Sequence, residues 1–141
     1  MVNRERVQFL VDALRSGEYQ QGHGYLKYED VGGASLHCCL GVACEIAILN
    51  GVPVASRVSE DGITTRFDGS LALLPRRVRD WYGFDAAVPR LILENGSGEE
   101  ATAMNDGLDP LNGDPIRYFS FTEIAAAFER TFLKEESDGE S

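Results

Sequence analysis

The stretch SLHCCLGVACEIAILNG, from Ser35 to Gly51, holds all three cysteines of the 141-residue chain and one of its two histidines. A cysteine at the first turn of a helix has its thiolate favoured by the helix dipole and by unpaired N–H groups. Cys38 and Cys39 are therefore candidate nucleophiles for a hydrolase or transferase, with Gln20 or Gln21 upstream as an oxyanion donor. The partner base is the weak link. Thiol hydrolases built this way place their histidine later in the chain, and no histidine follows Cys44. His37 adjoins Cys38, and neighbours on a strand point to opposite faces. His23 would have to return through the loop QGHG. Read as a metal site, the inventory is His23, His37, Cys38, Cys39 and Cys44. Structural zinc takes two separated ligand pairs, whereas this spacing gives one adjacent pair, a third cysteine and nothing downstream. No metal and no cofactor are assigned. The reading favoured by the spacing is that the three cysteines are small core residues.

Two further groups suit binding. Arg76, Arg77 and Arg79, with Arg90 beyond them, can form a cluster for phosphate or carboxylate, although Arg76 is also spaced to pair with Asp80 at i,i+4. Tyr19, Gln20, Gln21 and His23 form a polar and aromatic cluster beside Gly22 and Gly24, where a ligand can approach the backbone closely. Asn105-Asp106-Gly107 reads as a helix-ending turn, since no regular acidic spacing follows it.

The elements that must position these groups are legible in outline. Asn3 caps a helix striped by Val7, Leu10, Val11 and Leu14 and stopped by Gly17. Strands at Tyr25–Glu29 and Ala34–Cys38 flank a turn at Asp30–Gly33. Cys39 to Asn50 is apolar all round, which marks a buried helix. Its one charge, Glu45, must reach the helix edge or find a partner. A second hairpin turns at Ser59–Gly62. A short helix runs from Pro75 to Gly83 with Val78 and Trp81 inward. Ser97 and Glu100 have capping-box spacing for another, and Ser120 with Glu123 caps the last, whose face is Ile124, Ala127, Phe128 and Thr131. Asp109 to Tyr118 is an irregular loop. The expected fold is α+β, a small antiparallel sheet of two hairpins packed by a buried central helix and several short ones.

Bulk properties narrow the function. The length suits one domain, expected at residues 1–133, and the final KEESDGES carries four acids against one lysine, the composition of a disordered tail at 134–141. Net charge is −10, which disfavours direct nucleic-acid binding through phosphate neutralisation. No apolar run approaches the roughly 18 residues of a membrane span, and MVNRERVQFL lacks the apolar core of an export signal. An odd number of cysteines, two of them adjacent, fits free thiols in a reducing cytosol.

The segments ALRSGEYQQGHGYL (Ala13–Leu26), HCCLGVACEIA (His37–Ala47), LPRRVRDWYGF (Leu74–Phe84), AMNDG (Ala103–Gly107) and SFTEIAAAFE (Ser120–Glu129) occur in an order that resembles a family of small phage and prophage proteins of actinobacteria with a YCCLGVLCE-like segment. This chain departs from the pattern at His37, where the family has tyrosine, and in the insertion-like LDPLNGDPIRY. The resemblance implies a phage origin and a life in the host cytoplasm, and no reaction. The expected function is that of an accessory protein that binds a host factor or a small anionic, nucleotide-like ligand, for counter-defence or host takeover. The ligand would meet Tyr19, Gln20, His23, Arg76, Arg77 and Arg79. The alternatives are a thiol enzyme using Cys38 or Cys39, and a virion structural or assembly protein.

Overall fold

The structure is a computed structural model that describes residues 2–108 and 115–133. Helix α1 (Arg4–Ser16) begins where the Asn3 side chain accepts from the Arg6 N–H, and ends at Gly17. Two residues, Gln20–Gln21, form β1; β2 (Lys27–Glu29) and β3 (Ser35–His37) form the first hairpin. Helix α2 (Cys39–Leu49) follows directly, with Cys38 as its N-cap residue. The second hairpin is β4 (Ser56–Val58) with β5 (Thr64–Phe67), and it turns where the Gly62 N–H donates to the Ser59 carbonyl. Helix α3 (Arg76–Tyr82), the hairpin β6 (Arg90–Ile92) with β7 (Gly98–Glu100), helix α4 (Ala101–Asp106) and helix α5 (Phe121–Phe128) complete the order, and α5 continues into a π-helical turn at Glu129–Leu133.

The class is α+β. The main sheet has five strands in the order β1-β3-β2-β5-β4. Both expected hairpins are in it, joined through the antiparallel pair β2–β5. The sheet is mixed, because β1 runs parallel to β3 and sets Gln20 opposite Leu36 and Gln21 opposite His37. The β6–β7 hairpin forms a separate sheet. It also overturns the expected capping box at Ser97 and Glu100. The Ser97 N–H and hydroxyl both donate to the Asn95 side chain, and Gly98–Glu100 is committed to the strand ladder. Glu100 then starts α4 with no side-chain cap bond. At α5 the box is present in full, Ser120 accepting from the Glu123 N–H and Glu123 accepting from the Ser120 N–H.

Helix α2 is the middle of the core. Leu40, Val42, Ala43, Cys44 and Ala47 are fully buried, together with Val7, Leu10 and Val11 of α1 and Ile124, Ala127 and Phe128 of α5. It lies so close to the segment before β2 that a Cβ on Gly41 would meet the Leu26 carbonyl oxygen at 1.7 Å. Only glycine permits that approach. On α3, Val78 is inward as expected, but Tyr82, one turn on, takes the other fully buried place and donates its hydroxyl to the Ala43 carbonyl at 2.8 Å. Trp81 is half-buried beneath the Arg6 guanidinium. Most of the loop expected at Asp109–Tyr118 and the expected acidic tail at 134–141 lie outside the described residues. Among the described residues no helix is long and apolar enough to cross a membrane.

Candidate functional site

The cysteines sit where the helix meets the sheet. Cys38 is 3% exposed, and Cys39 and Cys44 are fully buried. Burial pushes the Cys38 thiol up to about 11 and raises the other two well above the ordinary range. In an apolar setting the neutral thiol is the favoured form, so the helix dipole does not prevail here. The alternative nucleophiles Cys38 and Cys39 are thus not presented to solvent. The Cys39 thiol points to the Ala101 carbonyl at 3.7 Å. Among the described residues no group of three His, Cys, Asp or Glu side chains is placed to hold a metal ion.

The arginines of α3 do not converge. Arg76 pairs with Asp80 at 3.6 Å on the surface, and Arg77 with Asp68 at 3.2 Å. Arg79 has its Nε buried and without a hydrogen-bond partner. Successive helix positions diverge by about 100°, so adjacent arginines serve different neighbours. No hydrogen bond, ion pair or ring contact among the described residues joins them to the Tyr19–His23 segment.

That segment is held by a residue sequence reading did not single out. Asn105, at the end of α4, is fully buried, and its side chain uses both ends. Its Nδ2 donates to the Gly22 carbonyl and to Asp106 Oδ1, each at 2.8 Å. Its Oδ1 accepts from the Cys39 N–H and from Gln21 Nε2, each at 3.1 Å. The Asn105 carbonyl accepts from His23 Nδ1 at 2.7 Å, so that ring nitrogen is the donor. Asp106 Oδ1 also takes the Gly24 N–H. Gln21 reaches the start of α5, donating to the Phe119 carbonyl and accepting from the Phe121 N–H. The loop of QGHG is therefore bonded to α4 and α5 directly, and Asn105 ties it to the start of α2.

Above this network lies an aromatic surface. The Tyr28 ring packs against Gly22, where a Cβ would meet it at 2.8 Å, and its hydroxyl accepts from the His23 N–H. Tyr25 packs edge-on against Tyr28, and Tyr118 tilts over His23 with ring centroids 5.3 Å apart. Tyr25 is 41% exposed and Tyr118 55%. Tyr25 also lines a depression of about 340 Å³ with Asp61, Thr64, Arg66 and Leu71. Of the other expected ligand contacts, Gln20 is exposed in β1. Tyr19 is half-buried and packs edge-on against the His37 ring at 5.2 Å.

His37 is structural in geometry. It is 5% exposed, and its Nε2 donates to the Glu45 carboxylate at 2.8 Å. Lys27 joins the same carboxylate at 3.4 Å. These are the partners Glu45 needed on an otherwise apolar helix. They hold its carboxyl below the usual range, the His37 hydrogen bond most of all. Tyr25, Tyr28, Asn105, Asp106 and Tyr118 were not picked as site residues from sequence. The signal available was the AMNDG segment, read only as a turn.

The family model described as Domain of unknown function (DUF8296) matches residues 2–132. No curated protein and no solved structure matches the chain.

Proposed function

The chain belongs to the DUF8296 family, and from that premise we propose that it is a non-catalytic accessory protein of phage origin. It acts in the host cytoplasm by docking a host protein on the surface made by Tyr25, His23 and Tyr118. The observation that carries this reading is the contrast between the surface and its support. Two tyrosines and a histidine stand exposed, while the loop beneath them is fixed by the buried side chain of Asn105. Tyrosine supplies a large, stiff contact with a polar tip, and such residues dominate the energy of protein interfaces. A surface already held in place loses little conformational freedom on binding. The buried, raised thiols support binding over thiol chemistry. The resemblance to phage proteins supports counter-defence or host takeover as the purpose.

The test is site-specific photocrosslinking in the host, with the probe at position 25 or 118, and at position 57 on the sheet's β4 edge as control. The expected result is one host protein crosslinked from 25 and 118 and not from 57. Purified, it should bind the wild-type chain and lose affinity by about tenfold or more in Tyr118→Ala, the scale of an interface hot spot. Equal crosslinking from all three positions, or undiminished binding by the Tyr25→Ala, Tyr118→Ala double variant, would overturn the proposal.

A further inference from the structure

A second concavity, independent of that surface, lies between the β6–β7 hairpin and α5. It encloses about 330 Å³, at the small end of the range of ligand pockets. Leu93, Met104, Phe119 and Ala126 make its walls apolar, and Arg117 and Arg130 supply its cations. The two arginines are differently engaged. Arg117 lies over the Phe119 ring at 4.2 Å and gives an N–H to Glu123 at 3.1 Å. Arg130 gives one N–H to the Ile92 carbonyl at 2.6 Å, and among the described residues it has no acidic partner. Its remaining N–H groups are available to a ligand. Glu94 and Glu123 also line the cavity, so its formal charge balances and a multiply charged anion would meet both carboxylates.

We propose that this cavity binds a compact organic monoanion: a small apolar body seated against Leu93 and Ala126, with one carboxylate taken by Arg130. The apolar walls supply the affinity of burial, and a planar guanidinium matches a carboxylate in a two-point hydrogen bond. Nucleoside phosphates fit poorly, because their second negative charge would lie beside Glu94 and Glu123.

The full chain would be titrated with 1-naphthoate, with its neutral amide and with adenosine monophosphate, by two-dimensional NMR. The expected result is saturable shifts at Leu93, Thr122 and Ala126 with the carboxylate and none with the amide. Arg130→Gln keeps a donor for the Ile92 carbonyl and should weaken the carboxylate by about tenfold, the scale of one charge-assisted contact. Ala126→Trp fills the cavity and should abolish the shifts; its folding is read from the same spectra, and Arg130→Gln stands as the test if it fails to fold. Shifts absent from these residues, equal binding of the amide, or tighter binding of the nucleotide would each overturn the proposal.

Discussion

Replacing Asn105 by alanine tests whether one side chain holds the QGHG loop. The substitution removes four hydrogen bonds: to the Gly22 carbonyl, the Cys39 N–H, Gln21 and Asp106. Gln21 keeps its bonds to Phe119 and Phe121, and Asp106 keeps the Gly24 N–H. The cost therefore falls on the two backbone groups, the Gly22 carbonyl and the Cys39 N–H, which lose the partner Asn105 gave them at a fully buried place. A buried polar group left without a partner costs about 1–3 kcal/mol. Two of them set the expected loss at about 2–6 kcal/mol, a large share of a small domain's stability. Urea unfolding followed by tryptophan fluorescence gives the global value, and amide hydrogen exchange at His23 and Gly24 gives the local one. Both should move, the loop amides exchanging by sub-global opening well before the core. Asn105→Asp discriminates further. It keeps the acceptor for Cys39, loses the donor to Gly22 and sets a second carboxylate beside Asp106. It should free the loop while leaving the start of α2 protected. A loss below about 1 kcal/mol in Asn105→Ala, with loop exchange unchanged, would refute the reasoning, because it would mean water serves these groups as well as the side chain does.

Other consequences follow from single contacts. Gly41→Ala drives a Cβ into the Leu26 carbonyl and should cost about 3 kcal/mol or more, beyond ordinary overpacking because backbone must move; soluble yield and urea midpoint report it. With its thiol raised from 9.0 to about 11, native Cys38 should alkylate about a hundredfold slower than a free thiol near neutral pH. Iodoacetamide mapping should find the fully buried Cys39 and Cys44 labelled only as fast as the chain opens. The Glu45 carboxyl is held below its ordinary 4.5 when folded, so its ionised form stabilises the protein above that pH. The contribution is lost as pH falls through the depressed native value. Glu45→Gln should therefore be less stable than wild type at neutral pH, with the gap closing below 4.5 in paired denaturation series.

Much of the fold was legible because its signals are local. Asn3 and Gly17 around α1, the all-apolar α2 and the Ser120–Glu123 box each lie within one element, and each is where sequence places it. The failures are short or distant. Gln20–Gln21 is too brief to show a period, and its parallel partner Leu36–His37 can be known only from the fold. Ser97 has capping-box spacing, yet the Asn95 turn competes for the same hydroxyl. The arginine run reads as a cluster along the chain but diverges around a helix. Asn105 is the instructive case. Its partners Cys39, Gln21 and Gly22 lie 66 to 84 residues away, so no window of sequence shows why an asparagine stands there rather than any other helix-ending residue.

The same contacts account for the segments that first suggested chemistry. Gln21 and Gly22 of the QGHG stretch, Cys39 of the double cysteine, Asn105 and Asp106 of AMNDG and Phe121 at the start of α5 are all members of one bonded set. What the double cysteine contributes to that set is a backbone N–H at the start of a helix, not a thiol. The side chains there need only be small and apolar, which cysteine satisfies. His37 fits the same logic. Its bond to Glu45 requires one donor at the end of a flat ring, and a tyrosine would carry such a donor in its hydroxyl. An exchange of histidine for tyrosine would destroy an acid–base catalyst but preserve a structural bond. His37→Tyr should therefore fold with little loss, because the task of the position is to hold Glu45, and the segment's chemistry is that of positioning the loop that His23 and its neighbouring tyrosines display.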